Sequence, residues 1–348
     1  MKKKYIFAAL VLACTGLSLS SCSDDLGANY EQSDELYKQM VSFKAPVGDD
    51  GVYHIYMRYN ADGTGSYNLP VIVSGTANNK RDLDVKIGVD NDTLALLNAD
   101  RFAASRQDLW YVQLPEQYYT LPSATCHIPA GENVVGYPIK FNLQGFDANE
   151  KYVLPLTIEK AADGSYEQNT RKGWYKALMY VNLFNDYSGT YSASAMRVYF
   201  DGDSKDPATV STRTCKVVDD KTVFFYAGTV WEEEIDRNKY RILVHFGEGT
   251  KQADGSITGP VTIEAADPQN PANIVADGEC TYSYTERAHS TKPNIQRRQT
   301  TLYLKYKYSD VTADPKNPVR MRVEGSMTME RIYNPAIPDE DQAASWFE

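Results

Sequence analysis

The chain has 348 residues, long enough for two domains of ordinary size. Its 46 acidic against 36 basic residues leave a net charge of −10, a balance that excludes the cationic footprint needed to hold nucleic acid phosphates. Twenty-six tyrosines and four tryptophans favour β-structure and leave amphipathic rings for surface recognition.

Residues 1–21 read as an export signal: Lys2, Lys3 and Lys4 form a basic head, residues 6–19 an apolar middle, and Ser20 and Ser21 a small-residue junction. The apolar run is shorter than the ~20 residues a bilayer-spanning helix needs. Removing 1–21 removes three lysines and no acid, so the net charge of −10 becomes −13. The junction Leu19-Ser20-Ser21-Cys22 resembles the lipobox of bacterial lipoproteins, which implies that the Cys22 thiol is acylated and anchors the chain to a membrane. Ser23-Asp24-Asp25 behind it resembles the tag that sends Bacteroidota lipoproteins to the outer face of the outer membrane. Residues 22–37 are polar and aperiodic and read as a tether.

Residues 38–184 form the first predicted domain. Tyr53, Ile55, Met57 and Tyr59 alternate with more polar neighbours, a loop through Asp62 and Gly63 follows, and Leu69, Val71 and Val73 complete a hairpin. Leu83, Val85, Ile87 and Val89 alternate with mostly charged residues, as a strand with one wet face does. The period breaks over 92–104, where Asp92 or Thr93 can cap a short helix carrying Leu94, Leu97 and Phe102. Asp92-Thr93-Leu94 also matches the short O-glycosylation motif of Bacteroidota exported proteins. Strands resume around Cys126, Ile139, Leu154 and Met179, and Pro138 and Pro155 point to edge positions or bulges. Short strands with no βαβ rhythm predict an immunoglobulin-like antiparallel sandwich.

The run from Leu121 through Ile128-Pro129-Ala130-Gly131 to Tyr152-Val153-Leu154-Pro155-Leu156, with Leu69-Pro70-Val71 and Asn98 upstream, resembles the amino-terminal sandwich module of Bacteroidota surface lipoproteins from glycan-utilisation loci. A similar module precedes some family-18 endoglycosidase domains.

After a polar junction at 182–188, expected to be nicked by protease before either core, eight strands follow in meander order. They lie at 190–200, 208–218, 221–227, 238–247, 257–266, 279–287, 298–309 and 319–332. The last is the most regular: Val319, Met321, Val323, Met327 and Met329 alternate with Arg320, Arg322, Glu324, Thr328 and Glu330. Eight antiparallel strands without helices lose their edges by closing into an up-and-down, lipocalin-like barrel over 185–334, leaving 335–348 as a tail. The segment from Tyr187 onward is similar to the carboxy-terminal barrel module of the same lipoproteins.

Cys126, Cys215 and Cys280 are odd in number and fall in different predicted strands, so they read as buried free thiols. No nucleotide loop, zinc-protease helix, nucleophile elbow or paired-cysteine metal site occurs in the sequence. His54, His127, His245 and His289 are dispersed, and the loop from Asp201 to Asp206 carries Lys205 where a calcium site would place an oxygen. Neither pattern argues for a metal or other cofactor. Glu232, Glu233 and Glu234 are consecutive, so their side chains diverge, whereas a glycosidase needs two opposed carboxylates. Exposed rings suit sugar binding, because the C–H face of a pyranose packs on an aromatic while its hydroxyls seek amides and carboxylates. Trp231 with Glu232, Asp236 and Asn238 in the 228–238 loop, and Trp110 with Tyr111 in the sandwich, are the candidate glycan contacts. Core packing or a domain interface is the competing reading for each ring.

Address and resemblance together imply a non-catalytic cell-surface protein that binds a glycan or oligosaccharide beside an outer-membrane polysaccharide import complex. It would meet the membrane only through its lipid. A structural or adhesin-like subunit with a protein partner is the main alternative, ahead of an enzyme and of a carrier using the barrel lumen.

Overall fold

A computed structural model describes residues 39–75, 78–202 and 205–347. The export signal, Cys22 and the tether lie outside the described residues, as do Asp203 and Ser204 of the acidic loop. The chain is nearly all β.

The first domain contains β1 (Met40–Phe43), β2 (Tyr53–Arg58), β3 (Thr64–Ser74), β4 (Leu83–Val89), the helix α1 (Asn91–Arg101), β5 (Tyr111–Gln113), β6 (Tyr119–Thr120), β7 (Thr125–Ile128), β8 (Val134–Asn142), β9 (Lys151–Ile158), β10 (Glu167–Gln168) and β11 (Lys176–Phe184). One sheet runs β10-β1-β3-β8-β6 and the other β2-β11-β9-β4-β7, with β5 added on β9. Most pairings are antiparallel; β1–β10, β2–β11 and β5–β9 are parallel. Alternation along β3, β4, β8 and β9 sends Leu69, Val71, Val85, Ile139, Leu154 and Leu156 into one core between the sheets.

Pro155 is not at an edge, because β9 has neighbours on both sides. One side is shared by two short strands, β5 against 151–153 and β4 against 156–158, and Pro155 falls in the gap between them. Its carbonyl faces that gap and accepts from Asp90 N at 2.9 Å, so its missing N–H breaks no ladder bond. The cap of α1 is Asp90, two residues ahead of the expected Asp92. Asp90 accepts from Thr93 N at 3.2 Å and from Thr93 Oγ1 at 2.7 Å, which commits the Thr93 hydroxyl to the helix start.

The second domain begins with β12 (Gly189–Ser192), β13 (Arg197–Phe200), β14 (Ala208–Thr209), β15 (Thr212–Val217), β16 (Thr222–Tyr226), β17 (Arg241–Phe246) and β18 (Thr250–Lys251). It continues through β19 (Ile257–Ala265), β20 (Val275–Ala276), β21 (Cys280–Ala288), β22 (Gln296–Asp310) and β23 (Val319–Tyr333). The pairing order β23-β12-β15-β16-β17-β19-β21-β22 returns to β23, closing an eight-stranded antiparallel barrel. The segment expected as one strand over 190–200 is broken into β12 and β13 by a bend. Gly325 opposite has φ +135°, and a Cβ there would collide with the Ala195 carbonyl, so only glycine lets the bend pass. Leu302, Leu304, Tyr306 and Tyr308 of β22 join Met327 and Met329 of β23, Phe225 and Tyr240 in a packed interior. Burying each such side chain contributes about 1.5–3 kcal/mol.

The domains meet where Val217 of β15 joins the sandwich core, where Tyr226 of β16 donates to Asn149, and at the linker. The linker does not form an open joint. Asn185 and Ser188 are buried; Asn185 Nδ2 donates to Asp219 O at 2.7 Å, and Asn185 Oδ1 accepts from Ser188 N at 2.8 Å. Burial and bonding at Asn185 and Ser188 argue against the expected protease site, because nicking requires accessible, unbonded backbone. The last residues are not a free tail either. A short helix, α2 (Asp339–Gln342), places Asp339 against Arg58, and Trp346 packs edge-on to Phe184 with ring centroids 5.4 Å apart. Arg331 of β23 is 1% exposed; its guanidinium lies 4.6 Å from the Trp346 centroid and donates to the carbonyls of Asn185 and Ser188. Burial draws its pKa down to about 10, so it stays cationic at neutral pH.

A cleft at the barrel rim beside Trp231

The connection from β16 to β17, residues 227–240, leaves the barrel at Gly228. That residue has φ +52°, and a Cβ on it would strike the Tyr308 ring, so the sharp exit depends on glycine. The loop then turns on a reciprocal pair of bonds. Trp231 N donates to Glu234 Oε1 at 2.9 Å, and Glu234 N donates to the Trp231 carbonyl at 3.2 Å. The sandwich buttresses the far half of the loop. Arg237 Nη1 meets Asp108 Oδ2 at 2.7 Å, its Nη2 donates to the Asp108 carbonyl at 2.6 Å, and Arg106 donates to the Glu233 carbonyl. On the adjoining strands Arg241 Nη1 meets both Asp147 oxygens, at 2.9 and 3.0 Å, and Tyr226 donates to Asn149 Oδ1. The loop is therefore held by both domains rather than hanging from one.

This arrangement leaves Trp231 57% exposed above a cleft of about 320 Å³. Thr212, Arg213 and Thr214 of β15, Tyr226 of β16, and Val230, Glu232 and Glu233 complete its lining. Arg213 lies 5.5 Å from the Trp231 centroid and is 8% exposed; its Nη1 donates to the Thr212 carbonyl at 3.3 Å and its Nη2 to that of Gly228. Glu232 is 3.3 Å from Lys216. Burial pushes the Tyr226 phenol up to about 12 and draws the Arg213 guanidinium below its ordinary value, so at neutral pH the wall offers a phenol and a cation. Ring, hydroxyls, carboxylates and guanidinium together can pack against an apolar ring face and bond a ring of hydroxyls around it.

Of the predicted contacts, Trp231 and Glu232 share the cleft; the others do not. Tyr111 is 7% exposed, packed with Val52, Leu94, Val153 and Leu178, and its hydroxyl donates to Asp50 Oδ2 at 2.9 Å, so its ring belongs to the core. Trp110 is half-buried, with its indole N–H enclosed, on the segment that docks against Arg237. Asn238 is exposed but does not line the cleft, because the 3-10 turn Arg237–Tyr240 carries it away. Asp236 pairs with Lys239 at 3.0 Å. The sequence reading missed Arg213, although a signal was there. Arg213 shares the inward face of β15 with Cys215, and an arginine on the lumen side of a small barrel is unusual enough to mark a site.

A larger groove of about 720 Å³ lies between the β2–β3 turn, β8 and Glu340. Its lining includes Asn60, Thr64, Ser66, Lys140 and Asn142, but its only aromatic, Phe141, is buried in the sandwich core. It offers no exposed ring face, so the smaller cleft is the better candidate.

A model of a domain of unknown function (DUF4973) matches residues 32–162, and a model of a C-terminal domain matches 175–328. Among solved structures, a Bacteroides ovatus protein of unknown function shares 42% identity with a TM-score of 0.76, covering 87% of this chain and 99% of that one. A second B. ovatus protein of unknown function shares 30% identity with a TM-score of 0.80, covering 90% of this chain and 99% of that one. A Bacteroides thetaiotaomicron structure described as an auxiliary nutrient binding protein shares 31% identity with a TM-score of 0.72, covering 85% and 96%. No match was found among curated proteins.

Proposed function

We propose a function from the premise that this chain belongs to the family of two-domain Bacteroides proteins to which it is similar along both its sandwich and its barrel: it is a non-catalytic surface protein that holds a glycan in the Trp231 cleft. Its lipid anchor is Cys22, its location the outer face of the outer membrane, and its setting a polysaccharide import complex. The anchor and address rest on the resemblance of residues 19–25 to exported lipoproteins. A relative described as a nutrient-binding protein supports a binding role.

The observation that carries the reading is the exposed indole of Trp231, held rigidly by both domains above a cleft of hydroxyls and charges. A large exposed ring loses hydrophobic stabilisation unless something covers it, and rim loops on a rigid scaffold are common binding positions. The Glu232–Glu234 run supports no glycosidase pair. Glu232 and Glu233, the carboxylates of the lining, are neighbours in one loop rather than groups facing each other across the cleft.

The test is calorimetric titration of the chain lacking residues 1–22 with an oligosaccharide panel, repeated with Trp231→Ala. A stacked ring contributing ~1–2 kcal/mol predicts a roughly 5- to 30-fold loss of affinity at unchanged melting temperature. Absence of any sugar binding, or binding that ignores Trp231→Ala, overturns the proposal.

A further inference from the structure

The charges around the cleft do not cancel locally, and where each one lies decides which sign a ligand meets. Arg213 forms part of the lining, is more than nine-tenths buried, and bonds only to the Thr212 and Gly228 carbonyls; among the described residues no carboxylate pairs with it. Glu232 is engaged by Lys216 at 3.3 Å. Glu233 stands exposed at the mouth, where solvent screens its charge, whereas the buried guanidinium acts through a medium of lower dielectric. A second cation stands behind the loop. Lys151 lies 5.1 Å from the Phe102 ring and 5.9 Å from that of Tyr111, again without a carboxylate partner among the described residues. Burial, then the neighbouring Lys216 and Arg237, draw its pKa down, while Glu233 and Glu232 act in the other direction. The wall of the cleft that carries the exposed indole thus holds a buried guanidinium with no ion-pair partner among the described residues, while its two carboxylates, Glu232 and Glu233, stand at the exposed rim.

We infer that the glycan taken by this cleft carries an oxyanion, as a uronate carboxylate or a sulfate ester, which the Arg213 guanidinium meets while the sugar ring covers Trp231. The inference rests on the glycan reading and narrows it. A guanidinium with free edges binds an oxyanion by charge-assisted and often bidentate hydrogen bonds, roughly twice as strong as neutral ones. An anion arriving from water also relieves a desolvated cation that backbone carbonyls satisfy only in part. Tyr226, Thr212 and Thr214 remain for the sugar hydroxyls.

The experiment titrates the chain lacking residues 1–22 with four probes: an oligogalacturonide, its carboxyl-reduced counterpart, a sulfated galactan oligosaccharide and its desulfated form. Each is measured in 20 mM and 500 mM sodium chloride. At least one acidic probe binds tenfold or more tightly than its neutral partner at low salt, and the gap narrows at high salt, where charges more than a few ångströms apart are screened. Which acidic probe it is identifies the anion. Arg213→Gln abolishes the preference, whereas Trp231→Ala weakens acidic and neutral probes alike. Because Arg213 is buried and its variant can misfold, Lys151→Gln and the salt dependence of the unaltered chain provide independent readings. Lys151→Gln reduces the preference two- to threefold. Neutral probes that bind as well as acidic ones, through Trp231, overturn this inference and leave the glycan proposal standing. No binding of any probe overturns both. Acidic probes that bind regardless of Arg213 and Trp231 place the anion elsewhere and also overturn it.

Discussion

Trp346→Ala removes the ring that joins the end of the chain to both domains. Trp346 is 5% exposed and packs on Phe184, the last residue of the sandwich, with Ala343, Tyr56 and Phe347 around it. On its other side lies the Arg331 guanidinium, 4.6 Å from the ring centroid. A tryptophan buries about 150–250 Å², which at ~25 cal/mol/Å² corresponds to roughly 4–6 kcal/mol. Truncating such a ring to alanine costs about 3–5 kcal/mol. The loss is local to the joint, and Arg331 would keep its buried charge with the linker carbonyls and the nearby Asp186 carboxylate to answer it. The expected outcome is that a single urea transition, followed by circular dichroism, splits into two as the domains uncouple. Trypsin is then expected to cut at Arg58, which pairs with Phe184 beside the loosened linker, or at buried Arg331, and to spare both in the unaltered chain. The reasoning is refuted if Trp346→Ala leaves one transition whose midpoint moves by less than about 1 kcal/mol equivalent and the protease pattern stays unchanged.

Three further outcomes are expected. Burial pushes the Asp186 carboxyl up, but Arg58 and then Arg298 draw it further down, so its pKa in the folded chain lies below the ordinary carboxylate value of about 4. Its contribution is full above that pH and is lost as pH falls through the lowered value; the urea midpoint should therefore drop below about pH 4, and less steeply in Asp186→Asn. A profile identical in the two chains would exclude Asp186 as a source of acid sensitivity. Cys126, Cys215 and Cys280 are buried and unpaired, and burial alone pushes the Cys126 thiol up to about 11; iodoacetamide at pH 8 should label them only after denaturation. Cys22→Ala should leave the protein unprocessed or released from the cell surface, as read by protease shaving of intact cells; a variant still held at the surface would exclude acylation of Cys22.

The barrel was legible in outline because a closed sheet imposes period two on every strand, and the sequences of β22 and β23 keep it almost without interruption, whereas the strands expected over 190–200 and 208–218 are each broken in two. The same rule placed the sandwich strands but not all of their pairings: the expected hairpin of β2 with β3 does not form, because the chain crosses between them from one sheet to the other. It failed where a local signal had two tertiary solutions. Pro155 argued for an edge, yet β9 is central, because two short strands share its flank and leave the proline a gap. The polar linker suggested exposure, yet Asn185 and Ser188 are polar because their side chains bond the turn that joins the domains. The 335–348 segment has no periodicity, so nothing local announced that Trp346 would be covered.

At the candidate site, the sequence by itself determined the position of Trp231, in a loop between two alternating strands and therefore at a rim. Its partners came only with the tertiary structure. Arg213 lies 18 positions away on the neighbouring strand, and Arg106 and Asp108 belong to the other domain. Alternation is a property of one strand and survives in the sequence of that strand. A cleft is made where separate segments converge, and that convergence is set by barrel closure and domain docking, which no single stretch of residues encodes.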